Sequence, residues 1–184
     1  SLVVKGDNRY HAIFGNEGKA KYVHPSSLAP ALIALGASVM VAGPQGKERE
    51  IPLADFFRTP AEDSQRETAL MPNEILTQIH IPKKGLKNAT YEVRHRHGLD
   101  WPYVTASVAF ASNKGVASGA TVVLGQVAPV PWEASQAALT LEGATVDELL
   151  AVKCGNAAAQ GANPLSGNDY KVQLVKTATK RAVR

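Results

Sequence analysis

His95 and His97 flank Arg96. On an extended strand, residues two apart point to one face, so the pair could offer two imidazoles to one metal ion. A zinc site normally takes about three or four protein ligands, and no third ligand stands nearby in sequence. Exposed histidines on a basic strand are therefore the stronger reading. Cys154 is the single cysteine of the 184 residues. It excludes an internal disulfide and any multi-cysteine cluster held by this chain alone. It falls in a helical pattern beside Lys153, where a buried, inert thiol is the default. His24 opens a polar turn at 24–28, where it either orients the turn or meets a ligand. Ser26 in that turn is a good helix N-cap, because its hydroxyl can accept a hydrogen bond from a free first-turn amide. A polar turn feeding a helix N-terminus is also a place to meet an anionic cofactor; an ordinary capped connector is the competing reading.

The elements that would position these residues follow from pattern. Residues 21–37 read as a strand end, the turn, a short helix and a stop. Pro30 is tolerated in the first helical turn, Leu28, Leu32 and Leu35 recur at helical spacing, and Gly36 ends the helix. Residues 1–20 are polar and glycine-rich and read as loop. Strands are expected at 37–42, 49–53 and 74–81, with a turn at 43–46, a helical turn at 53–57 and a long polar loop at 58–68. The last of these strands places Ile75, Ile79 and Ile81 on one side. A linker at 82–88 divides the chain into parts 1–85 and 86–184. Strands at 89–96, 103–111 and 119–128 follow, the last two joined by a turn at Asn113–Gly115. Helices then take over at 131–139, from a capping box of Thr145 and Glu148, and from an Asn168 cap onward with Tyr170, Leu174, Val175, Ala178 and Ala182 inside. Strands followed by helices imply an α+β layer, an antiparallel sheet on one side and three helices on the other.

Composition narrows the function. Apolar residues make up 45% of the chain, normal for a globular protein. No run approaches the roughly 20 apolar residues of a membrane span. The first five residues are too short for a signal peptide, and the opening is abrupt, as though sequence precedes it. The net charge of +4 is mild. Two basic groups occur, Lys83 to Arg96 and Lys171 to Arg184, and the second is expected on the solvated face of a helix. No nucleic-acid motif accompanies either. There is no phosphate loop, no Gly-x-Gly-x-x-Gly, no HExxH and no Gly-x-Ser-x-Gly elbow.

Four stretches together resemble one family. They are NRYHAIFG at 8–15, HPSSLAPALIALGA at 24–37, IPLADFF at 51–57 with ETALMPNEIL at 67–76, and YEVRHRHGLDW at 91–101. In this order and spacing they resemble the C-terminal part of the FAD-binding subunit of molybdenum hydroxylases, the flavoproteins of xanthine and carbon monoxide dehydrogenases and their relatives. The final third, from Gly125 to Ala182, is similar to that family's C-terminal α+β domain. The resemblance implies an FAD-binding electron-transfer subunit. Its flavin would take electrons singly from iron–sulfur clusters and pass them in pairs to an acceptor such as NAD, the protein supplying position and electrostatics. It implies two partners, a molybdenum-binding large subunit and an iron–sulfur small subunit, and an N-terminal FAD-binding segment that carries the pyrophosphate grip. A cytoplasmic complex is expected, a periplasmic one being the alternative, and the present chain alone is expected to be inactive.

Carried over residue by residue, the resemblance places Ser26, Ser27 and Leu28 on the turn that approaches the flavin. Leu70 would lie against the isoalloxazine. Residues 94–100, with Arg96 and Asp100, match a loop beside the flavin that governs acceptor access, and Glu92 falls where many relatives have lysine. Ser27 replaces a common aspartate. Glu92 reverses a charge, which near the ring would disfavour the reduced flavin. Ala20 stands near a cysteine that some relatives use for an extra four-iron cluster, so that cluster is not expected. Two alternatives stay open: a flavin-free scaffold or assembly fragment of the same complex, and an unrelated basic binding domain.

Overall fold

In the computed structural model, which describes residues 2–96, 98 and 100–184, the elements run α1 (Leu2–Lys5), α2 (Ala29–Ala34), β1 (Ser38–Ala42), β2 (Glu48–Pro52), α3 (Leu53–Phe56), β3 (Ile75–His80), β4 (Lys87–Val93), β5 (Val104–Asn113), β6 (Val116–Gly125), β7 (Trp132–Glu133), α4 (Ser135–Leu141), α5 (Glu148–Ala158) and α6 (Tyr170–Val183). They form two antiparallel sheets, β2-β1-β3 and β4-β5-β6-β7. This is the α+β arrangement expected from the sequence.

The alternation in β5 dictates how the layers stack. Side chains along a strand alternate between faces. Val104, Ala106, Val108 and Phe110 enter the larger core with Ala151, Cys154, Val175, Ala178 and Ala182 of the helices. Ala109 of β5 and Val123 of β6 enter a second cluster with Leu32, Ile33, Val39, Val41, Ile51 and Phe56. The β5–β6 ladder is therefore buried on both faces over Val104–Phe110 and Val122–Gly125, while its hairpin end is exposed. Two glycines let these layers close. A Cβ on Gly125 would come within 2.8 Å of the Pro30 ring, and one on Gly155 in α5 would run into the Lys176 carbonyl of α6.

Local chemistry explains the element ends. Lys114 and Gly115 both take positive φ, as a two-residue hairpin turn requires, and Asn113 pairs with Val116 across it. Gly36, also at positive φ, stops α2. Its amide donates to Ile33 O at 2.9 Å and that of Ala37 to Leu32 O at 2.9 Å, the paired bonds of a Schellman end.

Several expectations are corrected. Thr145 bridges Val116, so the capping box does not form; Asp147 caps α5 by accepting from the Leu150 amide at 2.7 Å. Asp169, not Asn168, caps α6. Asn168 is buried, accepting from the Leu165 amide and donating to the carbonyls of His11 and Ala12. The strand expected to 96 ends at Val93. Trp132 and Glu133, expected in a helix, instead form the short edge strand β7 on β6, opposite Leu124 and Val123. Residues 2–20 hold one helical turn and otherwise no regular element. Their apolar triplet Ala12, Ile13 and Phe14 is nonetheless fully buried, with the Ile13 and Phe14 amides on Val127 O at 2.8 and 3.0 Å and Phe14 stacked on Trp132 at 5.2 Å. A β-bulge within β3, with Thr77 the extra residue between the partners of Met40 and Val41, interrupts the single-sided isoleucine row, and β3 is exposed along its length. No helix among the described residues is long and apolar enough to cross a membrane.

The tight α5–α6 contact sets a prediction. Gly155→Ala should lower the stability measured by urea unfolding by about 1–3 kcal/mol or more, the range for forcing a methyl into a filled interface. An unchanged denaturation midpoint would mean that α5 and α6 do not approach this closely.

Candidate functional site

The turn before α2 is held from both sides. The His24 amide donates to Ala128 O at 2.8 Å, and the imidazole edge packs on the Phe57 ring, centroids 4.4 Å apart. Nδ1 accepts from the Ser26 amide at 3.3 Å, which needs a neutral ring with its proton on Nε2. Burial lowers the His24 pKa, with Glu67 pulling weakly the other way, so the required form is the favoured one. His24 thus orients the turn. Ser26 Oγ accepts from the amides of Leu28 and Ala29 at 3.2 and 3.0 Å, the bonding expected of it, although Leu28 takes the N-cap position and α2 starts one residue later. These amides are spent, Pro30 brings none, and α2 has six residues. The helix start is therefore not an anion site. Leu28, expected on the buried stripe, precedes the helix and is 60% exposed; Ser27 beside it is exposed too.

Leu70 is positioned by a clamp. Phe57 bridges Thr68, and the Ala69 amide donates to Phe56 O at 2.7 Å. Arg49 donates to Ala69 O at 2.9 Å and grips both carboxylate oxygens of Glu74 at 2.9 and 2.7 Å. Glu74 in turn accepts from the Met71 amide at 2.8 Å. The guanidinium holds the Glu74 carboxyl down to about 2. Leu70 is left half-buried against the smaller core, and the His24–Phe57 contact joins its segment to the turn.

The loop after β4 forms the far wall. Arg96 Nε donates to Asp100 Oδ2 at 3.2 Å. Both line a cavity of about 400 Å³ with Trp101, Val23 and Gln126. Trp101 is 68% exposed. Tyr103 in the same wall stacks on Tyr10 at 5.7 Å, with the His95 ring edge-on at 6.4 Å. Glu92 lies in a neighbouring groove that shares His95 and Arg96, and it is ion-paired to Arg94, so its charge is offset. His97 lies outside the described residues. Among those described, no group of three or more His, Cys, Asp or Glu could hold a metal. Cys154 is buried, its thiol pushed up to about 12 by burial.

Sequence reading missed the residues beneath this wall. Lys171, expected on a solvated face, is 1% exposed. Its Nζ donates to the carbonyls of Tyr10, His11 and Gln126 at 2.9, 3.2 and 2.8 Å, while burial pushes its pKa down to about 8. The signal was present: Lys171 stands four residues before Val175, on the stripe that continues through Ala178 and Ala182. The rest of that basic group is partly engaged, Lys180 and Arg184 with Glu148 at 2.5 and 2.9 Å and Arg181 over the Tyr91 ring.

Ser26, Ser27 and Leu28 thus connect to Leu70 through His24 and Phe57, and to Arg96 and Asp100 through Gln126, whose side chain reaches Ser26 O. Leu28 and Trp101 expose apolar surface, and Arg96 and Asp100 add a guanidinium and a carboxylate to the cavity that Trp101 lines, a set of groups whose chemistry suits a flat aromatic ring with a polar margin. The residues present therefore fit the ring end of a flavin.

Comparison with known proteins identifies the family. Residues 13–84 match the FAD binding domain in molybdopterin dehydrogenase, and residues 89–184 the CO dehydrogenase flavoprotein C-terminal domain. The aldehyde oxidoreductase FAD-binding subunit PaoB of Escherichia coli is 33% identical over 94% of this chain and 52% of its own length. The carbon monoxide dehydrogenase medium chain of Afipia carboxidovorans is 28% identical over 99% of this chain and 62% of its own. Among solved structures, carbon monoxide dehydrogenase from Hydrogenophaga pseudoflava superposes with a TM-score of 0.74 at 25% identity, covering 86% of this chain and 55% of that one. The chain therefore belongs to the family of FAD-binding subunits of molybdenum hydroxylases, with a CO dehydrogenase flavoprotein C-terminal domain over its second half. It spans about half to three-fifths of the length of these two curated relatives.

The His24 contact makes a pH prediction. Its folded pKa lies below the ordinary 6.5, so on acidification the unfolded chain takes up this proton first. The stability that the neutral ring supplies is then lost as pH falls below 6.5 through the folded value. NMR titration of the His24 ring should give a pKa under 6.5, whereas one at or above it would mean that Nδ1 does not hold the turn.

Proposed function

We propose that this chain supplies the ring-facing wall of the flavin site in the electron-transfer subunit of a molybdenum hydroxylase. The subunit would receive electrons from iron–sulfur clusters of a small subunit, downstream of a molybdenum-binding large subunit, and pass them to an acceptor such as NAD. Support comes chiefly from one observation: the turn matched to the family's flavin approach is rigidly held, yet presents Ser27 and Leu28 outward. An exposed leucine on a fixed turn is surface prepared for a flat apolar partner. Bound FAD would supply the redox chemistry, accepting and releasing electrons. The chain's own residues would hold and orient: Leu28 and Leu70 against the ring, Ser26 and Ser27 at its polar margin, Arg96 and Asp100 at the acceptor side. We place the division between the FAD-binding part and the C-terminal domain at 85/86.

The full-length subunit should purify yellow with a flavin absorption band. Leu70→Arg should abolish FAD uptake through clash and an unpaired buried charge; equal titration curves for wild type and variant would remove Leu70 from the site. Glu92→Lys should raise the flavin reduction potential, because it places a cation where an offset anion stood. An unchanged potential would place that side chain away from the ring.

A further inference from the structure

Gln126 is an unusual residue for its position. It has φ +59, a left-handed conformation that glycine takes freely and that costs other residues about 1 kcal/mol or more. It is also 2% exposed. Its side-chain Nε2 donates to Ser26 O at 3.1 Å and lies 3.5 Å from Pro25 O, both about a hundred residues earlier in the chain. Its own carbonyl accepts from the Lys171 ammonium at 2.8 Å. A strained backbone and a buried amide are kept together where a glycine would relieve the strain and an apolar residue would fill the space without a polar group to satisfy.

We propose that Gln126 and Lys171 are positioning residues for the flavin-facing turn. Gln126 fixes the carbonyl edge of residues 25–26 from below, and Lys171 fixes Gln126. The inference rests on the functional reading above and deepens it. Ser26 Oγ can hold the amides of Leu28 and Ala29 only if the Ser26 backbone keeps its place, and the described contacts that keep it are the His24 imidazole on its amide and Gln126 on its carbonyl. Lys171 has three donors, each directed to one carbonyl, two of them in the loop at Tyr10 and His11 and one at Gln126. The ammonium thereby ties three chain segments to one point. Charged hydrogen bonds of this kind are short and directional. Gln126 Oε1 is buried with no partner among the described residues, so the hold on the turn comes from Nε2 on Ser26 O and from the Lys171 ammonium on the Gln126 carbonyl.

Gln126→Gly in the full-length subunit separates positioning from folding, since it removes the side chain while suiting the backbone angle. The thermal midpoint should stay near wild type. In the FAD-free variant, hydrogen exchange at the amides of Leu28 and Ala29 should accelerate about fivefold, and the dissociation constant for FAD should rise about fivefold, the effect of one lost hydrogen bond of ordinary strength. Lys171→Met should accelerate exchange at the same amides and also lower the midpoint. Exchange at wild-type rates in Gln126→Gly would overturn the positioning role. Faster exchange with unchanged FAD affinity would overturn its bearing on the flavin. A wild-type subunit that binds no FAD would sink the functional reading itself, while the exchange rates would still decide whether Gln126 holds the turn.

Discussion

A single buried ammonium constrains this molecule more than any other group. Lys171 sits in α6, the last helix, with its charge removed from water, and burial of an unpaired charge is prohibitively costly. It is tolerated because three carbonyls converge on it. Those carbonyls come from the N-terminal loop and from the bend after β6, so the helix, the sheet and the first residues of the chain must meet at one place. Asn168, one turn earlier, repeats the arrangement with the carbonyls of His11 and Ala12, and the Tyr170 hydroxyl adds Arg9 O at 2.8 Å. The N-terminal loop has little regular structure because its backbone groups are satisfied by the start of α6 and by Val127 rather than by a ladder.

From this point the rest of the architecture follows. Away from their hairpin end, β5 and β6 are buried on both faces, by the helices on one side and by α2 with the smaller sheet on the other. Gly125 lets Pro30 of α2 lie directly on β6. The turn at 24–28 is therefore supported by the second half of the chain: His24 by Ala128, Ser26 by Gln126. Sites carried by loops gain precision when rigid elements support them. The turn in the first matched family is thus propped by residues of the second.

The sequence made much of this legible where local chemistry decides. Gly36 as the stop of α2, the tight hairpin at Lys114 and Gly115, and the strand-then-helix order follow from dihedral needs and hydrophobic period. It failed where a distant partner outcompeted the local signal. Thr145 had every local feature of a cap, but a bridge to Val116 claimed it and Asp147 took over. Asn168 was read as a cap and serves as a tie. Lys171 was read by its charge rather than by its place on the apolar stripe, and Ala12 to Phe14 were read with their polar neighbours although the triplet itself is apolar. At the candidate site the turn was conspicuous because proline, serine and histidine cluster there. Gln126, one polar residue in the run from Val122 to Ala128, was not, since nothing local marks a side chain that acts on residues a hundred positions away.

In the proposed flavin site, residues 26–28 and 70 face the ring. Hydrogen–deuterium exchange of the full-length subunit with and without FAD tests it most directly. New protection is expected at Ser27, Leu28 and Leu70 on FAD binding, with little change at β5 and α6, whose amides are already held in ladder and helix. Protection confined to other segments, with 26–28 and 70 exchanging alike in both states, would contradict it.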